Sequence, residues 1–188
     1  MIGAAFRSVL AGAQRGDETA FVCLFRDVQP ALLRYLRVIT PDAEDVAGET
    51  WAAVVPGLRG FRGDEEAFRA WLFTIARHRA ADAGRSRNRR PAIPVDPNET
   101  VLTEAAGQPA APDTAEVALE SIATRRALAL VAGLPPDQAE IIMLRVVAGL
   151  DPGDVGRIVG KSPGAVRVTA HRALRRLAEM AQRAGVTR

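Results

Sequence analysis

Several kinds of residue are scarce in this chain, and each scarcity excludes a class of protein. Cysteine occurs once, as Cys23, so no disulfide can form within the chain. Histidine occurs twice, which leaves too few ligands for a zinc site built from cysteine and histidine. The single thiol lies in an apolar run, and we expect it to be a buried packing residue without a redox role.

Long apolar runs are also absent, and we expect no secretory leader. No segment approaches the roughly 20 apolar residues needed to cross a bilayer. The first residues lack a basic start followed by an apolar stretch and a cleavage site. We therefore expect a cytoplasmic protein with no membrane insertion. Period-two alternation is missing as well, whereas apolar residues recur at helical spacing, so the sequence predicts an all-α fold.

Charge is distributed unevenly along the chain. Residues 1–90 carry 14 basic and 11 acidic side chains, residues 91–120 carry six acids and no base, and residues 121–188 carry 11 bases and five acids. The acidic middle is also rich in proline and has no long periodic run, which is typical of a linker. We predict two small helical domains, 1–90 and 121–188, joined by a flexible acidic, Pro-rich linker at 91–120.

The segment 150–177 has the pattern of two helices joined by a tight turn. A short apolar helix ends at Gly160, a residue favoured at helix C-termini. Ser162 can cap the next helix, with Pro163 in its first turn. That second helix is strongly basic, as in a helix-turn-helix that places it in the major groove, although a solvated amphipathic hairpin would share the pattern. The residues predicted to face DNA are Lys161, Ser162, Gly164, Arg167, Val168, His171, Arg172, Arg175 and Arg176.

Two upstream helices have distinctive surfaces. The helix that opens near Asp42 carries Asp42, Asp45 and Glu49 at spacings of three and four, so carboxylates line one side. A single exposed stripe does not form the converging pocket of a metal or acid–base site. No metal, cofactor or catalytic residue is therefore predicted. The helix that starts near Glu66 ends in a run of arginines, which attracts phosphate without regard to sequence.

Three segments resemble the conserved regions of bacterial sigma factors. DAEDVAGETWAAV (42–54) resembles their second region, and FRAWLFTIARHRAADAGR (68–85) resembles the following segment, which handles the −10 promoter element. LPPDQAEIIMLRVVAGLDPGDVGRIVGKSPGAVRVTAHRALRRL (134–177) resembles the region that reads the −35 element. In order, spacing and length the chain is similar to the extracytoplasmic-function (ECF) group of the sigma-70 family. The resemblance implies a non-catalytic initiation factor that binds core RNA polymerase, recognises promoters and opens DNA.

The resemblance also implies roles for individual residues and partners. We expect the chain to bind core polymerase, on its β′ clamp and β flap, and also promoter DNA and an anti-sigma factor. We expect it to be a monomer when it is free. The residues expected to dock on polymerase are Asp42, Glu44, Asp45, Glu49 and Trp51. Those expected to contact the −10 element, including a loop that captures a flipped base, are Phe61, Arg62, Asp64, Arg69, Arg77, His78, Arg79, Asp82 and Arg85.

Some alternatives remain open at this point. Phe61 could equally anchor its loop to the core, and the acidic linker could mimic transcript or be an inert tether. Val168, Thr169 and Ala170 depart from the small-polar, Arg, Leu run more usual in the family, so the −35 preference of relatives does not transfer. The main alternative function is a helix-turn-helix regulator that acts without polymerase. It would not need the acidic stripe, and the sequence shows no dimerisation element for it.

Overall fold

The computed structural model describes residues 1–89 and 114–183, with side chains from residue 123 in the second range. These residues form helices and no strand, which confirms the all-α prediction. The helices are α1 (Phe6–Gln14), α2 (Glu18–Ile39), α3 (Ala43–Leu58), α4 (Glu65–Arg89), α5 (Thr114–Ala132), α6 (Pro136–Ile142), α7 (Pro152–Val159) and α8 (Pro163–Arg183). A 3-10 turn, Gly3–Ala5, precedes α1, and a π-helical turn, Met143–Val147, follows α6. None of the described helices is long and apolar enough to span a membrane.

Helices α1 to α4 form the N-terminal half. The apolar spacing predicted along α2 is realised, because Leu24, Val28 and Leu32 are all buried. Helix α2 continues through Pro30 without a break. Pro56 likewise lies inside α3, which ends at Leu58. Proline removes one helical hydrogen bond, and tertiary packing of the apolar faces outweighs that loss here.

Helices α5 to α8 form the C-terminal half. Helix α5 begins at Thr114, inside the span predicted as linker, and the rest of the linker lies outside the described residues. Helix α6 is short and is followed by the π turn, in which the Ala148 N–H donates to the Met143 carbonyl over 3.0 Å. Helix α8 packs on α5, α6 and α7, with Val166 and Ala173 completely buried.

The two halves pack against each other, which the sequence did not indicate. Helix α2 contacts α5, α6 and the π turn, while α4 contacts α7. Buried side chains from both halves form one continuous apolar cluster. Polar contacts also cross this interface: Arg77 Nε donates to Glu140 Oε1 over 2.8 Å, and the Tyr35 hydroxyl donates to the same oxygen over 3.2 Å. Arg69 Nε donates to the Ala148 carbonyl over 3.0 Å.

Cys23 corrects one sequence-based expectation. Its side chain is exposed on α2, whereas the neighbours in its apolar run suggested a buried packing residue. Leu24 takes the core position at 1% exposure. Adjacent residues on a helix point about 100° apart, so an apolar run necessarily leaves some of its members outside the core.

Candidate nucleic-acid and polymerase interfaces

The turn between α7 and α8 is built as the sequence predicted. Gly160 ends α7 in the left-handed conformation, with φ at 71°. Ser162 Oγ accepts from the Ala165 N–H over 3.2 Å, and Pro163 occupies the first position of α8. Asp151 caps α7, because its carboxylate accepts the N–H groups of Gly153 and Asp154. These backbone hydrogen bonds hold the pKa of Asp151 below its ordinary value.

Gly156 is a second glycine that this turn requires, and its role was not visible in the sequence. It is buried inside α7, where a Cβ atom would lie 2.5 Å from the Lys161 carbonyl oxygen. The Lys161 N–H in turn donates to the Gly156 carbonyl over 2.9 Å. The absence of a side chain at Gly156 thus allows the chain to fold back closely before α8 begins.

The outward face of α8 is basic and unoccupied. Val166 and Ala170 face the core. Successive residues of a helix are rotated by about 100°, and Val168 lies two residues from each of them, so its side chain points directly away from the core. Val168 is 51% exposed. Among the described residues, no hydrogen bond or ion pair engages the side chains of this face. The exposed residues predicted to contact DNA are Gly164, Arg167, Val168, His171, Arg172, Arg175 and Arg176.

Two residues predicted to contact the −35 element have structural partners. Lys161 Nζ pairs with Asp137 Oδ2 over 2.7 Å, which ties α6 to the turn and lowers the pKa of Asp137. Ser162 is used as the cap of α8. Since both residues lie at the N-terminus of α8, they still flank the exposed basic face. Their first effect in this structure is to fix the position of that helix.

The acidic face predicted on α3 is present and points to solvent. Glu44, Asp45 and Glu49 are exposed. Glu44 accepts two hydrogen bonds from the Arg37 guanidinium, at 2.7 and 3.0 Å, and this contact lowers its pKa. Neither Asp45 nor Glu49 forms an ion pair with any described residue. These two carboxylates, one helical turn apart, are therefore available to a basic partner.

Asp42 and Trp51 differ from the other members of that predicted set. Asp42 precedes α3 and pairs with Arg87 near the end of α4. Trp51 is 7% exposed and its ring contacts those of Phe21 and Phe25 at centroid distances of 5.8 and 5.0 Å. Its Nε1 donates to a side-chain oxygen of α2 over 2.7 Å. Trp51 is thus a core residue that holds α3 against α2 and does not belong to the exposed acidic face.

The loop before α4 is anchored by the residues predicted to capture a base. Phe61 stacks on Trp71 at a centroid distance of 5.2 Å and an angle of 24°. Arg62 donates to two carbonyls of its own loop, at 2.8 and 3.0 Å. Asp64 caps α4 by accepting the Ala67 N–H over 2.9 Å. The structural alternative for Phe61, an anchor to the core, is therefore the arrangement seen in this structure.

The basic residues of α4 divide into two groups. Arg69 is 7% exposed, and its Nη1 donates to Asp27 Oδ2 over 2.9 Å in addition to the Ala148 contact. Arg77 is paired with Glu140. His78 and Arg79 are the basic side chains of this set that no described residue engages by a hydrogen bond or ion pair. Asp82 and Arg85 are exposed and pair with each other.

Acidic side chains lie together where α4 meets α7. A cleft of about 450 Å³ is lined by Glu66 and Trp71 from one half and by Asp151, Asp154 and Arg157 from the other. Carboxylate oxygens of Glu66, Asp151 and Asp154 lie within 4.8 Å of one another. Asp151 is committed to capping α7 and Asp154 pairs with Arg157. The cluster is thus explained by local structure.

Comparison with known proteins agrees with this arrangement. The family model for sigma-70 region 2 matches residues 24–90, and the model for sigma-70 region 4 matches residues 124–177. The ECF RNA polymerase sigma factor SigD of Mycobacterium tuberculosis is 35% identical over 192 aligned positions, covering 98% of this chain and 88% of SigD. The chain belongs to the ECF group of the sigma-70 family. The ECF sigma factor ShbA of Streptomyces griseus is 37% identical over 182 positions, covering 90% of this chain and 92% of ShbA.

Two solved structures have a similar fold. CnrH in complex with the cytosolic domain of CnrY superposes with a TM-score of 0.61 at 23% identity, covering 95% of this sigma factor and 97% of CnrH. RpoE of Bartonella quintana in complex with the anti-sigma factor NepR gives a TM-score of 0.59 at 25% identity, covering 86% of this sigma factor and 96% of RpoE. As an ECF sigma factor the chain directs RNA polymerase to promoters, which sets aside the alternative of a regulator that acts without polymerase.

Proposed function

We propose that this sigma factor holds a promoter at two points, with residues 121–188 on the −35 duplex and residues 1–90 on the −10 element. The unpartnered basic face of α8 carries this proposal, because it follows a tight turn and points directly away from the core. Recognition helices present such a face to the major groove. Arg167, Val168, His171 and Arg172 lie near its N-terminal end and read bases, whereas Arg175 and Arg176 hold phosphates.

Docking on core polymerase is assigned to the exposed carboxylates of α3. Asp45 and Glu49 support this assignment, since both are exposed and free of ion pairs with described residues. Glu44 extends the same face. Their charge complements a basic surface, such as a clamp helix of polymerase, and steers association. We place Asp42 and Trp51 behind this face, as residues that position α3.

The −10 element is assigned to α4 and the loop before it. His78 and Arg79 support this assignment, because no described residue engages them. Phe61 is half-buried on Trp71, so a flipped base would add to an existing aromatic stack. Once DNA is bound, the path of the −10 strand is also lined by Arg62, Asp64, Asp82 and Arg85. The protein contributes binding energy and no reaction of its own.

An anti-sigma factor is proposed as a further partner. The support is that RpoE was solved in complex with the anti-sigma factor NepR. Since this sigma factor shares 25% of its residues with RpoE over most of its length, a related mode of control is consistent with its fold. We propose a monomer in the free state, because the halves already bury their apolar surfaces against each other.

Run-off transcription with purified core enzyme and a randomised promoter library tests the main proposal. Selected promoters should share two conserved elements at a fixed spacing. Arg167→Ala should lose preference at particular positions of the upstream element, at a cost of about 1–3 kcal/mol. Arg176→Ala is the matched control, since loss of a phosphate contact should weaken all sequences alike. An unchanged sequence preference in the Arg167 variant would refute its role in reading bases.

A further inference from the structure

The loop between α3 and α4, residues 59–64, is fastened by a side chain from a different helix. Gln14, the last residue of α1, donates from Nε2 to the Leu58 carbonyl over 3.0 Å and to the Phe61 carbonyl over 2.9 Å. An amide nitrogen carries two hydrogens, so both are engaged. Gln14 lies before residue 24, where the match to sigma-70 region 2 begins.

The two carbonyls that Gln14 binds delimit a short piece of backbone. The Leu58 carbonyl belongs to the last residue of α3 and also accepts the Phe61 N–H over 3.1 Å. The Phe61 carbonyl also accepts from Arg62 Nη1 over 2.8 Å, and the same nitrogen donates to the Arg59 carbonyl. The hydrogen bonds of Arg62 thus stay within the loop, whereas those of Gln14 tie it to α1. Gln14 therefore sets where this piece of backbone lies relative to α1.

The ring of Phe61 fits closely among its neighbours. It stacks on Trp71 and meets the Phe68 ring edge-on at a centroid distance of 5.6 Å. A Cβ atom at Gly63 would lie 2.9 Å from the Phe61 ring, and one at Gly57 would lie 2.8 Å from the Trp71 ring. Phe61 and Trp71 are both half-buried. A shift of the loop backbone would therefore change how the accessible part of this stack is presented.

We propose that Gln14 is a positioning residue for recognition of the −10 base. The inference rests on the proposed function, in which the loop and its aromatic stack receive a flipped base. Ordering a loop on binding consumes part of the binding energy, so a loop that is already placed binds its base more tightly and more selectively. Loss of the two hydrogen bonds of Gln14 should weaken capture of the preferred base most, because that base makes the most complete contacts.

Two substitutions remove the donors of Gln14. Gln14→Glu keeps the size of the side chain but leaves acceptors opposite two carbonyls, and Gln14→Ala adds no charge. Gln29→Glu is the matched control in the same half of the protein. Gln29 Oε1 accepts from Trp51 Nε1 over 2.7 Å, and a carboxylate can still accept there.

Binding of each holoenzyme to fork-junction DNA, with a double-stranded −35 element and a single-stranded −10 element, measures the effect. The base tested is the −10 position with the strongest preference in the randomised promoter library. The wild type and Gln29→Glu should prefer their base over the alternatives by at least about fivefold, as for one base read by contacts. Both Gln14 variants should lower this ratio to about twofold or less, while the preference at the −35 element stays unchanged.

Phe61→Ala in the same assay separates this inference from the proposed function. If Phe61→Ala loses the discrimination while both Gln14 variants retain it, Gln14 is not a positioning residue and the assignment of the loop stands. If Phe61→Ala retains the discrimination, the loop does not capture the base and both proposals fail. Equal losses of preference at the −10 and −35 elements in the Gln14 variants would show a general effect on folding, which would also overturn the inference.

Discussion

Gly156 offers a direct test of how the turn before α8 is built. In Gly156→Ala the new Cβ meets a backbone oxygen, that of Lys161, at 2.5 Å. A flexible side chain could rotate away from such a contact, but the backbone of a two-helix turn cannot move without displacing α8. Overpacking of this kind costs about 1–3 kcal/mol, and the upper part of that range applies to a backbone contact.

Alanine also has a better helix propensity than glycine, by about 1 kcal/mol, so the net loss should be about 2 kcal/mol. For a chain of this size that corresponds to a fall in Tm of about 4–8 °C. Affinity for a −35 duplex should fall as well, because α8 is displaced relative to α7. Thermal unfolding followed by circular dichroism measures the first effect, and fluorescence anisotropy with labelled duplex measures the second.

Gly48→Ala is the matched control on α3. Gly48 is helical, exposed and has no heavy atom within 4 Å of a Cβ, so only the propensity term applies. This variant should gain about 0.5–1 kcal/mol and raise Tm by about 1–4 °C. The two substitutions are chemically identical and opposite in expected sign. A Gly156→Ala protein as stable as the Gly48→Ala protein would refute the close approach at the turn.

Three further predictions concern surfaces and charge. Reversing Asp45 and Glu49 to lysine should abolish binding to core polymerase while stability changes by less than about 0.5 kcal/mol, and normal co-purification would count against docking through α3. Val168 should contact a thymine methyl group. Replacing that thymine by uracil should weaken the DNA affinity of the wild type about fourfold, because burial of one methyl contributes about 0.8 kcal/mol, and should leave the affinity of Val168→Ala unchanged. Tyr35, the single tyrosine, has a pKa raised by burial and by Glu140. The contribution of the protonated Tyr35 to folding stability should be complete below a pH of about 10 and should be lost as the pH rises through the raised pKa. Glu140→Gln should lower the pKa of Tyr35, as measured by a tyrosinate absorbance titration.

Local signals made much of the helix-turn-helix predictable. Gly160, Ser162 and Pro163 act through their own backbone or the next turn, so their roles can be inferred from sequence order. The exposed face of α8 followed from periodicity in the same way. Gly156 escaped prediction because what makes it necessary is the Lys161 carbonyl, which approaches only once the turn has formed.

Residues that act between the halves could not be assigned from the sequence. Arg77 and Glu140 pair across 63 positions of sequence, and no spacing rule relates residues on helices that meet only in the folded chain. Trp51 illustrates the same difficulty, since a motif resemblance placed it on the docking helix without showing which side of that helix it occupies. The burial predicted for Cys23 was wrong for a similar reason, because its apolar neighbours do not show which side of α2 it occupies. The polymerase and DNA contacts of individual residues stay predictions.

The outward face of α8 has a consequence for how promoter preference can change over evolution. No described residue forms a hydrogen bond or ion pair with its side chains, so exchanging them should alter the free energy of folding by no more than about 0.5 kcal/mol each. The buried face, with Val166 and Ala173, and the turn glycines carry the stability instead. If this face reads the promoter as proposed, mutations there should change promoter preference while the folded state is retained. Val168 departs from the usual run of the family and is 51% exposed, so it is a position of this kind.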